Sequence, residues 1–103
     1  MIRRFRTAFG EIVYLPDERW VHIVDKHPEI KRYITKIREV LIYPDIVKLS
    51  KKDGKSHLYY KFFPEIYSGK YLLVVVKHNR EKFIVTCFVT DKIKEGEVKW
   101  QKE

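Results

Sequence analysis

Between residues 17 and 42 apolar side chains recur at helical spacing, and from residue 46 onward they alternate with a period of two. In "PDERWVHIVDKH" the residues Trp20, Ile23, Val24 and His27 fall at i, i+3, i+4 and i+7, one face of a helix that Asp17 can cap. Pro28 suits the first position of a second helix, with His27 just before it. Ile30, Tyr33, Ile34, Ile37, Val40 and Leu41 form its apolar stripe, with Lys31, Arg32, Lys36 and Glu39 opposite. Pro44 stops it, because the residue before a proline avoids helical dihedrals. Strands are expected at "EIVYL" (11–15), "IVKLS" (46–50), "HLYYKFF" (57–63), "YLLVVVK" (71–77) and "KFIVTCFVT" (82–90). The Asp-Gly in "KKDGK" signals a hairpin turn, and "YLLVVVK" is apolar on both parities, as a central strand should be. The tail "DKIKEGEVKW" reads as irregular, with Trp100 folded onto the domain. The expected fold is α+β: two N-terminal helices packed on an antiparallel sheet of four or more strands, in one compact unit from about residue 8 to about residue 94.

Alternation assigns faces to the strands. Val47 and Leu49, then Leu58, Tyr60 and Phe62, then Phe83, Val85 and Cys87 are the sets expected under the helices. The opposite parity would leave Lys48, Ser50, His57, Tyr59, Lys61, Thr86, Phe88 and Thr90 uncovered, with Lys77 or His78 from the central strand. Cations, hydroxyls and rings are what a single-stranded RNA platform needs, since cations take phosphates and rings stack bases. An ordinary solvent-facing sheet has the same lysines and threonines, so the face alone leaves both readings open.

Composition sharpens the choice. Twenty-two Lys and Arg against fourteen acids give a net charge of +8. Such an excess on 103 residues points to a polyanionic partner, because each phosphate contact releases counterions. A thermophile-like bias toward Lys and Glu raises both signs together and does not produce the imbalance. No run approaches the roughly 18–20 apolar residues of a membrane helix. "MIRRFRTAFG" is basic with no apolar stretch behind it, unlike a signal peptide, so a cytoplasmic protein without membrane contact is expected. Cys87 is the one cysteine and lies in the apolar run "FIVTCFV", where it reads as a core residue.

Two histidines stand out in "WVHIVDKHPE". His27 falls near the middle of the apolar stripe and reads either as a cap and core residue or as a proton-transfer group. His22 falls nearly opposite and reads either as a plain exposed side chain or, better than His27, as a catalytic one. Five residues apart, they project roughly 140° from each other on a continuous helix. That spacing, with no nearby carboxylate completing a facial triad, does not suit a metal site, and neither a metal nor a cofactor is expected.

Five segments in order carry a resemblance over roughly residues 8–100: "WVHIVDKHPE", "LIYPDIV", "YYKF", "YLLVVVK" and "FIVTCFVTDKIKEG". Together they resemble the phage-related nuclease-like domains of the barnase–EndoU–colicin–RelE superfamily. The resemblance implies that residues 1–103 form a single nuclease-like domain that cleaves RNA without metal, through attack of a ribose 2′-hydroxyl on the adjacent phosphorus. Carried over by position, it implies catalytic roles for His22, His27, Lys61, Lys77 and Thr86, and extends more loosely to Tyr59 and Thr90 as substrate-binding residues; Lys48, His57 and Phe88 join them as substrate-binding candidates from the uncovered face. Histidine fits either proton transfer, and lysines suit the phosphate. A toxin-type nuclease would act on mRNA or tRNA, with the ribosome and an acidic antitoxin protein as partners. The uncovered face so assigned has no glutamate to serve as a barnase-like base. The alternatives are a non-catalytic RNA-binding or ribosome-associated module, and an interaction domain of a phage-derived or defence system.

Overall fold

The computed structural model describes residues 2–103. Among them the elements run β1 (Ile2–Arg6), β2 (Ile12–Pro16), α1 (Asp17–Lys26), a 3₁₀ segment (Pro28–Tyr33), α2 (Ile34–Ile42), β3 (Ile46–Leu49), β4 (Ser56–Phe63), β5 (Lys70–His78), β6 (Lys82–Thr90) and β7 (Val98–Gln101). The strands form one sheet in the order β1-β2-β6-β5-β4-β3-β7. It is antiparallel except where β2 meets β6 in parallel, pairing Val13 with Lys82 and Tyr14 with Phe83.

This overturns the expected α+β arrangement of two N-terminal helices on an antiparallel sheet. Strands come first, the sheet has seven of them and is mixed, and the helices are short. The edge strands escaped the periodicity for a physical reason. "IRRFR" has one buried residue, Phe5, and β7 has none, so neither shows an apolar face. Their pairing comes from backbone hydrogen bonds to β2 and β3, which leave little trace in side-chain pattern. The expected second helix is also divided. Pro28 opens a 3₁₀ segment, and the α-helix proper starts at Ile34. α1 begins at Asp17 without a side-chain cap, and Asp17 and Glu18 instead place negative charge in its first turn.

The helices cover one face of the sheet. The main core gathers Ile23, Ile30, Ile37, Val40 and Leu41 from the helical segment against Phe5, Val13, Leu15, Val47, Tyr59, Leu72, Val74, Val76, Ile84 and Cys87. Burying each aliphatic side chain stabilises by about 1.5–3 kcal/mol, so these positions dominate the fold. The expected faces need two corrections. In β4 it is Tyr59 and Phe63 that lie under the helices, while Leu58 and Tyr60 face the other way. In β6 a register shift pairs Val75 with Thr86 but Val76 with Ile84, so Val85 bulges and Ile84 shares the covered face with Cys87.

Leu58 and Tyr60 are buried because the far side of the sheet is covered too, at its β3–β4 end. Residues 91–97 cross it: Ile93 packs on the cluster of Ile46, Leu58, Tyr60 and Leu73. The Lys94 N–H donates to Tyr60 Oη at 3.0 Å, and Lys48 Nζ donates to the Lys94 carbonyl at 3.0 Å. With both faces of β4 buried, its alternation carries no face information.

Candidate active-site recess

The β1–β2 turn is the first element of the site. The Thr7 N–H donates to the Glu11 carbonyl at 2.9 Å, and the Gly10 N–H donates to the Thr7 carbonyl at 3.0 Å. Thr7 Oγ1 accepts from the N–H groups of Phe9 (3.2 Å) and Glu11 (3.3 Å). Gly10 sits at φ +78°, a conformation glycine adopts without strain. An Ala8 N–H bond to the Leu41 carbonyl, 2.8 Å, ties the turn to the end of α2. The result aims Phe9 and Glu11 over the end of the sheet.

There they meet His57 from β4, His78 from β5 and Lys99 from β7, and the five side chains line a recess of about 250 Å³. His57 lies opposite Val76 in the ladder, so His78 is its diagonal neighbour on the same face. Their rings stack with centroids 3.8 Å apart. The His78 N–H donates to the Lys55 carbonyl at 2.6 Å and extends the β4–β5 ladder to the rim. Lys82 approaches from β6, with Nζ 3.7 Å from Glu11 Oε2. Phe9 also stands edge-on to Trp100 of β7 at 6.5 Å.

Burial shifts the titrations here. His57 is held below the ordinary histidine value, first by burial and then by the neighbouring His78, while Glu11 pulls the other way. His78 is likewise lowered by burial, again against the pull of Glu11. Both rings are therefore disposed to be neutral near pH 7, and an anion entering the recess would favour protonation. Among the described residues, two buried polar atoms at this end lack a hydrogen-bond partner of ordinary geometry: His78 Nε2 and Tyr59 Oη. Tyr59 sits beside Thr7, its ring 6.3 Å from that of Phe9, and burial pushes the phenol up to about 12. Unpartnered buried groups beside perturbed histidines are what a ligand-binding site looks like before the ligand enters.

Of the ten residues singled out from sequence, only His57 lines this recess. Tyr59 is buried just behind it, and Lys61 lies farther along the covered side, 3.8 Å from Asp45. The other face holds Lys48, Lys77, Thr86, Phe88 and Thr90. Several of these are already engaged: Lys77 Nζ is 3.3 Å from Asp53, Lys48 holds Lys94, and Thr90 Oγ1 bonds Lys92. Among the described residues the outer edge of β6 beyond Phe83 has no strand partner, and α1 lies beside it. His22 is exposed there and lines a groove of about 540 Å³ with Pro16, Glu18, Arg19 and Phe83. His27 stacks on Phe88, centroids 4.8 Å apart.

Sequence reading missed Phe9, Glu11, Lys82 and Lys99, and weighed His78 only as an alternative to Lys77. Nothing local marks them, because four elements far apart in sequence supply them: the β1–β2 turn, β5, β6 and β7. Among the described residues no three His, Cys, Asp or Glu side chains cluster to ligate a metal, and no helix is long and apolar enough to cross a membrane. Comparisons with protein-family models, curated proteins and solved structures find no match, so function rests on this geometry and the chain's charge.

Proposed function

We propose that the protein is a small endoribonuclease whose proton transfers take place in the Glu11–His57–His78 recess. One observation carries the reading: a carboxylate and two imidazoles converge on one recess flanked by Lys82 and Lys99, on a chain of net charge +8. Glu11 takes the role of the base that removes the 2′-hydroxyl proton. The oxygen attacks the adjacent phosphorus, and an imidazolium gives its proton to the departing 5′-oxygen. The products are a 2′,3′-cyclic phosphate and a free 5′-hydroxyl. Lys82 and Lys99 offset charge on the phosphorane, and Phe9 and Trp100 offer faces for a base. The two rings stack on each other and cannot bracket a phosphate, so Glu11 rather than a second histidine serves as base.

The test is cleavage of an end-labelled single-stranded RNA in EDTA by wild type, Glu11→Gln, His57→Ala, His78→Ala and His22→Ala proteins purified alike. Loss of about 10²–10⁴-fold in the recess variants is expected, the range general acid–base groups contribute. His22→Ala should stay within a few-fold of wild type. Equal cleavage by every preparation would mean a contaminant and sink the reading. Binding without cleavage would favour a non-catalytic RNA-binding module.

A further inference from the structure

The sheet ends on β1 and β7, each with one side unpaired among the described residues. β7 is guarded: its pairing with β3 breaks register between Val47 and Lys48, and an irregular edge resists a further strand. β1 has no such guard. It pairs with β2 in unbroken register, from Ile2 opposite Pro16 to Arg6 opposite Ile12. The Thr7 N–H donates to the Glu11 carbonyl at 2.9 Å, so alternation makes Phe5–Val13 and Arg3–Leu15 the bonded pairs of this ladder. The N–H and C=O groups of Arg4 and Arg6 therefore turn outward, away from β2.

Room for a strand lies alongside. Between β1 and α2 runs a groove of about 540 Å³, lined by Arg3, Arg4, Phe5, Ile34, Thr35 and Arg38. Arg4 meets it with its backbone, because its guanidinium lies over Tyr14, 5.9 Å away, on the face opposite the helices. Arg6 shares that opposite face. Arg3 is the one arginine of β1 with a carboxylate partner among the described residues, Asp17 at 3.3 Å, which leaves Arg4 and Arg6 without one. A strand laid along β1 would send alternate side chains to the two faces. Those level with Arg4 and Arg6 would meet the two cations. The one between them, level with Phe5, would enter the groove beside Phe5 and Ile34.

We infer that β1 is a docking edge at which a partner protein adds an extended segment, of acidic–apolar–acidic pattern, as an antiparallel eighth strand. Its two acids pair with Arg4 and Arg6, and its apolar side chain fills the groove. A second copy of this chain does not suit the edge. Antiparallel pairing of two β1 strands about Arg4 sets arginine against arginine, and like charges directly opposite destabilise. Nucleic acid does not suit it either, since phosphates could take the outward N–H groups but would face the outward carbonyls of the same residues. The edge lies outside the recess, and its role stands whether or not the recess cleaves RNA.

The experiment reads amide hydrogen exchange residue by residue by NMR, with a capped synthetic peptide of alternating Glu and Val as the probe. In the free protein the Arg4 and Arg6 amides should exchange fast and the Phe5 amide slowly. Peptide at about ten times its Kd should slow Arg4 and Arg6 about tenfold and leave Phe5 unchanged. N-methylation at the Glu residues blocks the amides that would face β1 and should weaken binding about tenfold or more. N-methylation at the Val residues, whose amides face away, should leave binding within a few-fold. Arg4→Glu/Arg6→Glu, with a wild-type circular dichroism spectrum, should lose the Glu–Val peptide and gain a Lys–Val one. No protection up to millimolar peptide overturns the docking edge, as does equal binding of the two methylated peptides to wild type, a readout that needs no variant to fold. Equal protection of Arg4 and Arg6 by a 12-nucleotide single-stranded RNA would overturn a protein segment as the occupant. A folded charge-reversal variant that keeps its affinity for the Glu–Val peptide would overturn the pairing with Arg4 and Arg6.

Discussion

The imidazoles of His57 and His78 stack with centroids 3.8 Å apart, two residues of one face on neighbouring strands, and both are partly buried. The fold holds together two groups that repel once protonated.

Stability in mild acid follows from this pair. Burial, the largest cause, holds both histidines below their ordinary value near 6.5. The unfolded chain therefore takes up protons first as pH falls below about 6.5, and the native state loses stability from there down to the native pKa values. Above that window the contribution is fully present. The carboxylates whose values are lowered, Asp17, Asp53 and Glu65, act only at lower pH, below about 4.5. Melting temperature should fall between pH 7.5 and 5 in the wild type and fall less in His57→Asn/His78→Asn. A flat wild-type profile over that range would contradict the linkage.

Tyr59 is fully buried, and among the described residues its hydroxyl has no hydrogen-bond partner of ordinary geometry. Burying an unpaired hydroxyl costs about 1–3 kcal/mol, so Tyr59→Phe should stabilise by about 1 kcal/mol. For a domain of this size that is a rise of roughly 4–8 °C in thermal denaturation. If the hydroxyl meets the RNA in the recess, the same variant raises KM. A lower melting temperature would mean that the hydroxyl is satisfied in solution.

Gly96 admits β7 to the sheet. A Cβ there would overlap the Leu49 carbonyl oxygen, a backbone atom that cannot swing aside. Overpacking of this kind costs about 1–3 kcal/mol. Gly96→Ala should loosen β7 and speed hydrogen exchange at the Leu49 N–H, which donates to the Glu97 carbonyl at 2.8 Å. Trp100 emission should shift to the red, and cleavage should weaken because Lys99 rides on the same strand. Unchanged exchange at Leu49 would show that the strand tolerates the side chain.

Cys87 is fully buried, and its thiol is pushed up to about 12, mainly by burial. A thiol-specific reagent should react with it only at the rate of unfolding, and promptly in denaturant. Stoichiometric labelling of the native protein within seconds would mean that this part of the core opens.

The central strands and α1 were legible because each shows its own local signal. β6 was bounded at Lys82 and Thr90 in agreement with the structure, and β4 and β5 lay within one residue of their observed ends. Cys87 was placed in the core by its apolar neighbours. The faces were less legible. A bulge at Val85 breaks alternation between Ile84 and Cys87, and β4 is apolar on both parities because helices cover one side and residues 91–97 cross the other.

The sequence by itself determined where helix and strand periodicities fall, the buried positions of β5, and the excess of positive charge. These depend on neighbours within a few residues or on simple counting. Only the tertiary structure decided that Phe9, Glu11, His57, His78 and Lys99 share a recess. The recess joins a turn and three strands separated by up to 90 positions, from Phe9 to Lys99. Their meeting depends on the parallel joint between β2 and β6 and on the return of β7 to β3, pairings made by backbone atoms that every residue type carries.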